Sequence, residues 1–258
     1  MATRPDPVEE SLVRDYPRAV WNKLNKALRE YRMLREGQRI AVCVSGGPAS
    51  LMLALCMQRL RRYGYTPFEA VFVHISDDGH DVEALLAARG IALTVLPGVP
   101  SEDALLRAAK SLGCDTIALG HCFDDVIETV LGSVLYAGHL ASILPKGRSE
   151  AVPDVEIIRP LCLVRASDIL DWRDRNALPC VPAARMTPDP EQRAATAALL
   201  ARLRERSTAI DRNIFRSLEN VNLRTLLSYE LDGVRRDFLA DHAAGITNHG
   251  TRAGEGRR

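Results

Sequence analysis

No stretch of this 258-residue sequence is apolar for long enough to cross a bilayer. Its opening, MATRPDPVEESLVRDYPRA, carries charges and prolines where a secretory leader needs an uninterrupted apolar run, so a soluble, cytoplasmic protein with no membrane partner is expected. There is no C-x-x-C: Cys43, Cys56, Cys114, Cys122, Cys162 and Cys180 stand singly, in a chain large enough not to need disulfide staples. Free, mostly buried thiols are expected from that spacing. No segment repeats, and net charge is nearly absent at +1.

That balance hides an uneven layout. Between residues 14 and 39 stand Arg14, Arg18, Lys23, Lys26, Arg29, Arg32, Arg35 and Arg39 against Asp15, Glu30 and Glu36, and a second basic concentration runs from Arg193 to Arg236. These flanks read either as solvated helix faces or as surfaces for nucleic-acid phosphates. With 47% hydrophobic and 26% charged residues, the composition suits one sizeable core and a smaller appendage.

Val20, Leu24, Leu28, Tyr31 and Leu34 recur at helical spacing, which predicts an amphipathic helix over 16–36 with its basic residues outward. From Arg39 onward apolar runs alternate with helical patterns: RIAVCVS, LMLALCMQRLRRYG, AVFVHIS, DVEALLAARG, IALTVLPG, SEDALLRAAKSLG, DTIALGH, DDVIETVLGSVLYAG, VEIIRPLC and ASDILDWRDRN. Such alternation predicts an α/β fold, a doubly wound parallel sheet with helices on both faces. Ser101-Glu102-Asp103 and Ser167-Asp168 mark helix starts, and GHLASILPKGRSEAVPD reads as a surface loop. After the proline-rich LPCVPAARMTPDP, helices are expected from about 191 to 206 and from about 211 to 227, and then a disordered tail. The expected organisation is a basic N-terminal helix at 1–38, a core domain at 39–178, a helical extension at 179–230 and the tail at 245–258.

Two motifs carry chemistry. In RIAVCVSGGPASLMLALC a strand runs into Ser45-Gly46-Gly47 and then a helix. Paired glycines allow a sharp turn and close backbone approach to a ligand, and a helix N-terminus points unpaired N–H groups at negative charge. Ser45 and Ser50 add hydroxyls, and Pro48 suits the first helical turn. Phosphate cradle and packing turn remain equal readings of this motif alone. In the second motif, GHCFDDVIET, a strand opens into a helix carrying Asp124, Asp125, Glu128 and Thr129 near its start. Carboxylates there read either as helix capping or as holders of Mg²⁺ against nucleotide phosphates. His74 and His80 flank a third polar turn, Ser76-Asp77-Asp78-Gly79.

SGGPAS resembles the SGGxDS signature of the PP-loop ATP pyrophosphatases, the family that includes GMP and NAD synthetases and the tRNA-modifying lysidine and thiocytidine enzymes. Ala49 stands where that family has an aspartate, and Pro48 where its thiolase subgroup has a lysine. ALGHCFDDVIETVLGSVLYAG is similar to the ALGHHxDDxxET segment of the thiocytidine and lysidine group, with Cys122 at the second histidine. The likeness continues through Arg159-Pro160-Leu161, Asp168-Ile169 and IFRSLENVN, and so covers roughly 16–225. It implies a Rossmann-like, adenine nucleotide alpha-hydrolase fold that binds ATP or AMP through Ser45, Gly46, Gly47, Ser50, His74, Gly120 and His121. It also implies catalytic roles for Asp124 and Asp125, Mg²⁺ on Asp125, tRNA on the basic flanks, and a homodimer as one form of assembly. The cysteines that hold an iron–sulfur cluster in the thiocytidine enzymes have no counterparts here, so no cluster is expected. An enzyme that adenylates and thiolates tRNA, a degenerate paralogue that binds nucleotide, RNA or protein without turnover, and an amide-forming synthetase are the rival readings.

Overall fold

Ile40 to Cys43 are all buried, and a strand covered on both faces needs no polar alternation; this run forms β1 (Gln38–Cys43) at the centre of a sheet. The structure is a computed structural model and describes residues 6–77, 79–179, 181, 189–231 and 233–239. Around β1 stand β2 (Phe68–Ile75), β3 (Leu93–Leu96), β4 (Thr116–Ala118), β5 (Lys146–Arg148) and β6 (Glu156–Ile158), in the order β3-β2-β1-β4-β6-β5. The pairs are parallel except β5 with β6, where Lys146 to Arg148 run against Ile158 to Glu156. The sheet is therefore mostly parallel, as the strand–helix alternation predicts, and carries one antiparallel strand at its edge. Lys-Gly-Arg has no apolar signature, and it is a strand only because β6 offers it a ladder.

The chain leaves β1 toward β2 and β3 and then returns to β4 on the other side of β1. Such a reversal opens a crevice at the carboxyl ends of β1 and β4, where open α/β sheets bind ligands. α3 (Pro48–Tyr63) follows β1, α4 (His80–Ala87) follows β2, α5 (Glu102–Ser111) follows β3, α6 (Phe123–Gly132) follows β4, and α7 (Ala166–Arg175) follows β6. α5 lays Leu105, Leu106 and Ala109 over Ala41, Cys43, Ile117 and Leu119, while α3 packs on β1 and β2. Ile40 and Val42 alternate with Ala41 and Cys43 and so face the opposite side, which completes the doubly wound arrangement. Ser101 caps α5 as expected, accepting from Ala104 N at 3.1 Å. At α7 the capping acceptor comes from elsewhere: Asp124 Oδ2 takes Ala166 N at 2.7 Å, and Asp168 pairs with Lys23.

The N-terminal segment is more structured than its composition suggests. α1 (Pro7–Arg14) begins at an Asp6 cap with Pro7 in the first turn, then a turn of π-helix (Pro17–Trp21) leads into α2 (Asn22–Glu30). Val20, Leu24, Ala27 and Leu28 are buried, and Arg18, Lys26 and Arg29 point outward, as the spacing requires. Glu9 is fully buried and reaches Arg59 and Arg62 of α3 at 3.5 and 3.2 Å, while Trp172 of α7 donates to Ser11 Oγ. Much of the basic excess is neutralised on the spot: Arg14, Lys23, Lys26, Arg35 and Arg39 all have acidic partners.

α8 (Pro190–Arg206) starts where expected, with Asp189 accepting from Glu191 N and Gln192 N, and packs on α6. One compact unit extends to Thr208, beyond the expected core boundary at 178, and a second begins at Ala209. Within the second, α9 (Ile210–Ser217) is shorter than the expected helix over 211–227, and Asn220 Nδ2 donates to Arg216 O just beyond its end. A hairpin follows, β7 (Ser228–Leu231) against β8 (Val234–Asp237). Asp78, Cys180 and the expected tail at 245–258 lie outside the described residues. Among the described residues no helix is long and apolar enough to cross a membrane.

Candidate functional site

At the crevice between β1 and β4 lies a cleft of about 640 Å³, within the usual range for a small-ligand site. Its floor is the glycine turn. Gly46 has φ +89°, a conformation costly for any residue with a Cβ, and a Cβ there would meet Val82 Cγ2 at 2.9 Å and Val181 Cβ at 3.0 Å. Gly47 has φ −73°, open to any residue, and faces the cleft. The conformational demand thus falls on Gly46, and at Gly47 only access to the cleft is at stake. Pro48 begins α3 as expected.

Ser50 is 6% exposed, and its hydroxyl is committed within the turn: Oγ accepts from Ser45 N at 3.1 Å and donates to Gly47 O at 2.9 Å. It braces the loop and also lines the cleft. Ser45 Oγ, 3.2 Å from Ser50 Oγ, lines the cleft beside it. Gly120 brings the second loop against the first, since a Cβ there would lie 3.2 Å from Ser50 N and 3.3 Å from Ala49 C. The N-termini of α3 and α6 therefore open side by side on one space, the arrangement that favours an anion.

Two histidines line the walls. His74 Nδ1 lies 2.7 Å from Val44 O, which can only accept, so that nitrogen carries a proton. Arg159 Nε donates to His121 Nδ1 at 3.2 Å, and Arg159 is itself held by Leu144 O at 2.8 Å and Glu102 at 3.4 Å. Burial, and then the Arg159 charge, lower the His121 pKa to about 4, against an opposing pull from Asp125 and a further push from Arg193. At neutral pH the ring is uncharged with its proton on Nε2. The unfolded chain binds that proton near pH 6.5 and the folded chain does not, so stability falls as pH drops from 6.5 through 4, by about 3 kcal/mol. His121→Gln is expected to remove that part of the pH dependence in denaturant titrations; an unchanged slope would place the loss elsewhere.

The structure separates the two aspartates of GHCFDD. Asp125 lines the cleft: Oδ2 accepts from Cys122 N at 2.7 Å and Oδ1 from Arg193 of α8, whose Nε is also 3.0 Å from Glu128. Burial pushes the Asp125 carboxyl up, but these hydrogen bonds and the guanidinium outweigh it and hold it below the usual range. Asp124 is turned to other work, with one oxygen on Ala166 N and the other on Arg204 Nη2 at 2.7 Å. It ties α6 to α7 and α8 and is not among the residues lining the cleft. Arg193 and Val181, both at the cleft, are the residues that sequence reasoning missed; Arg193 counted there only as part of a basic stretch. Asp77 also lines it, accepting from Gly98 N at 2.9 Å.

These residues do not fit a protein-built divalent-cation site. Both Asp125 oxygens are engaged, Ala49 offers a methyl group, and among the described residues no three His, Cys, Asp or Glu side chains converge on a metal-sized space. Nor do the described thiols fit a cluster. Cys43, Cys56, Cys114, Cys122 and Cys162 lie on separate elements, free and buried, and burial raises every one of their pKa values, Cys43 and Cys162 to about 12. Cys122 is pushed up further by Asp125, the opposite of an activated thiolate.

A switch-point crevice floored by SGG and faced by the GHCFDD helix defines a protein of the PP-loop, adenine nucleotide alpha-hydrolase class. No family model matches the chain. It is 32% identical over 232 residues to the tRNA-cytidine(32) 2-sulfurtransferase of Alkalilimnicola ehrlichii, covering 80% of this chain and 74% of that protein. The protein of the same name from Geobacter metallireducens is 30% identical over 247 residues, 84% of this chain and 95% of its own length. Among solved structures, the U34-tRNA thiolase NcsA from Methanococcus maripaludis with its [4Fe-4S] cluster superposes with a TM-score of 0.59 at 16% identity, over 80% of this chain and 81% of its own, a likeness of fold. The chain belongs to the tRNA-cytidine(32) 2-sulfurtransferase family of PP-loop ATP pyrophosphatases.

Proposed function

We propose that this chain binds ATP in the cleft and uses it to activate a base of tRNA. The observation that carries the reading is the pair of helix N-termini, from α3 and α6, opening together on a cleft at the switch point. Backbone N–H groups of the glycine turn would receive the phosphates, His74 and the backbone beyond β2 would border the nucleoside, and His121 Nε2–H would donate to a phosphate oxygen. A base oxygen attacking the α-phosphorus would release pyrophosphate into the glycine turn. Mg²⁺ would enter on the nucleotide's own phosphates. Arg18, Arg29 and Arg32, exposed and outside the ion pairs among the described residues, are the N-terminal charges left to meet tRNA. A homodimer and a cytoplasmic location are part of the same proposal.

The described thiols, on separate elements, do not come together as ligands for an iron–sulfur cluster. Ala49 and those dispersed thiols favour a second reading, in which the chain binds nucleotide and tRNA and does not thiolate. Equilibrium binding of ATP and AMP, followed by pyrophosphate release with and without bulk tRNA, tests the first reading. We expect ATP binding and tRNA-stimulated release. Bound ATP with no release and no thiolated product would establish the second reading, and failure to bind either nucleotide would remove both.

A further inference from the structure

We infer that Arg193 is the phosphate-binding cation of the cleft, filling the role that a protein-held metal ion cannot fill here. The inference rests on the nucleotide reading above and adds the residue that meets the polyphosphate's charge.

Among the described residues lining the cleft, Arg193 is the one cationic side chain other than histidine, and it shares the space with two carboxylates, Asp77 and Asp125. A polyphosphate brings several more negative charges, and a helix N-terminus offers only about half a positive charge. A resident cation would meet part of that charge before any nucleotide-borne Mg²⁺ arrives, and no described carboxylate set holds a metal. The guanidinium lies against Asp125, in the first turn of α6, the helix whose N-terminus opens beside that of α3.

Its attachments suit it to the task. Nη2 bonds to Asp125 and Nε lies against Glu128, while Nη1 makes no hydrogen bond among the described residues. An arginine presents five N–H donors in a planar fork matched to phosphate oxygens, so it can keep its carboxylate partner and still offer a free edge. Asp125 then acts as a positioning residue: it aims the guanidinium and binds no metal itself.

The test uses inorganic pyrophosphate and AMP as separate probes, titrated calorimetrically into the full chain in EDTA and then in excess Mg²⁺. Wild type is expected to bind pyrophosphate in EDTA. Arg193→Met is expected to weaken that binding by about tenfold to a hundredfold, Arg193→Lys by less, and AMP affinity is expected to change by less than about threefold. Glu128→Gln, which loosens one tether, is expected to tighten pyrophosphate binding by a few-fold and decides the matter if Arg193→Met does not fold. Pyrophosphate affinity in EDTA that is unchanged in folded Arg193→Met, or unchanged in Glu128→Gln where Arg193→Met cannot be measured, would overturn the inference and leave the nucleotide reading standing. A wild-type chain that binds neither AMP nor ATP would overturn the nucleotide reading and this inference with it.

Discussion

Gly46→Val is expected to abolish ATP binding, lowering affinity by at least about a hundredfold, and to cost the fold about 2–4 kcal/mol. Two independent strains add. The backbone at φ +89° places a Cβ in the left-handed region, and the added atoms enter a space already bounded by Val82 and Val181. Relief would require the turn to swing away from the starts of α3 and α6, which would take the phosphate-facing N–H groups with it. Gly46→Ala carries the same backbone strain with less bulk and should fall between the two. Denaturant titration separates loss of fold from loss of binding. A folded Gly46→Val chain with ATP affinity within a few-fold of wild type would show that the turn is only a packing device.

Asp125→Ala is expected to destabilise the protein by about 2–4 kcal/mol, because it removes one member of a mostly buried ion pair and leaves Arg193 to Glu128 alone among its described acidic partners. The same change strips the acceptor from Cys122 N, an amide at the start of α6 with no intrahelical partner. Asp125→Asn keeps an oxygen for that amide while discarding the charge, so it should cost roughly half as much. Urea unfolding of both variants checks the order. A loss below about 1 kcal/mol for the alanine variant would mean that water reaches the pair and screens it.

How much of this was legible in the sequence depended on whether the information was local. The strand–helix alternation from residue 39 onward is a periodic signal set by the burial of each element, and the sheet followed it. The glycine turn was legible because backbone conformation constrains residue type directly, though only the structure shows that the burden falls on Gly46. β5 was not legible, since Lys146-Gly147-Arg148 owes its strand to a partner in β6. Asp124 and Asp125 look interchangeable as neighbours on one helix, yet one is turned toward α7 and the other into the cleft. Arg193 was invisible for a related reason. It sits among other charged residues at a helix start, and what marks it out is a pairing with Asp125 that spans 68 positions of sequence.

Val181, which abuts the glycine turn, and Arg193, which lies against Asp125, also set when in a polypeptide's life the site comes into being. Ribosomal synthesis delivers residues in order, and the central strands are all in hand once Ile158 has emerged. A nascent chain of that length can pair its sheet but has neither the valine that abuts Gly46 nor the guanidinium beside Asp125. A ligand stabilises only the state that binds it. Nucleotide can therefore act as a folding ligand for the finished unit and not for the growing one, since the residues that abut Gly46 and Asp125 are made late in the unit.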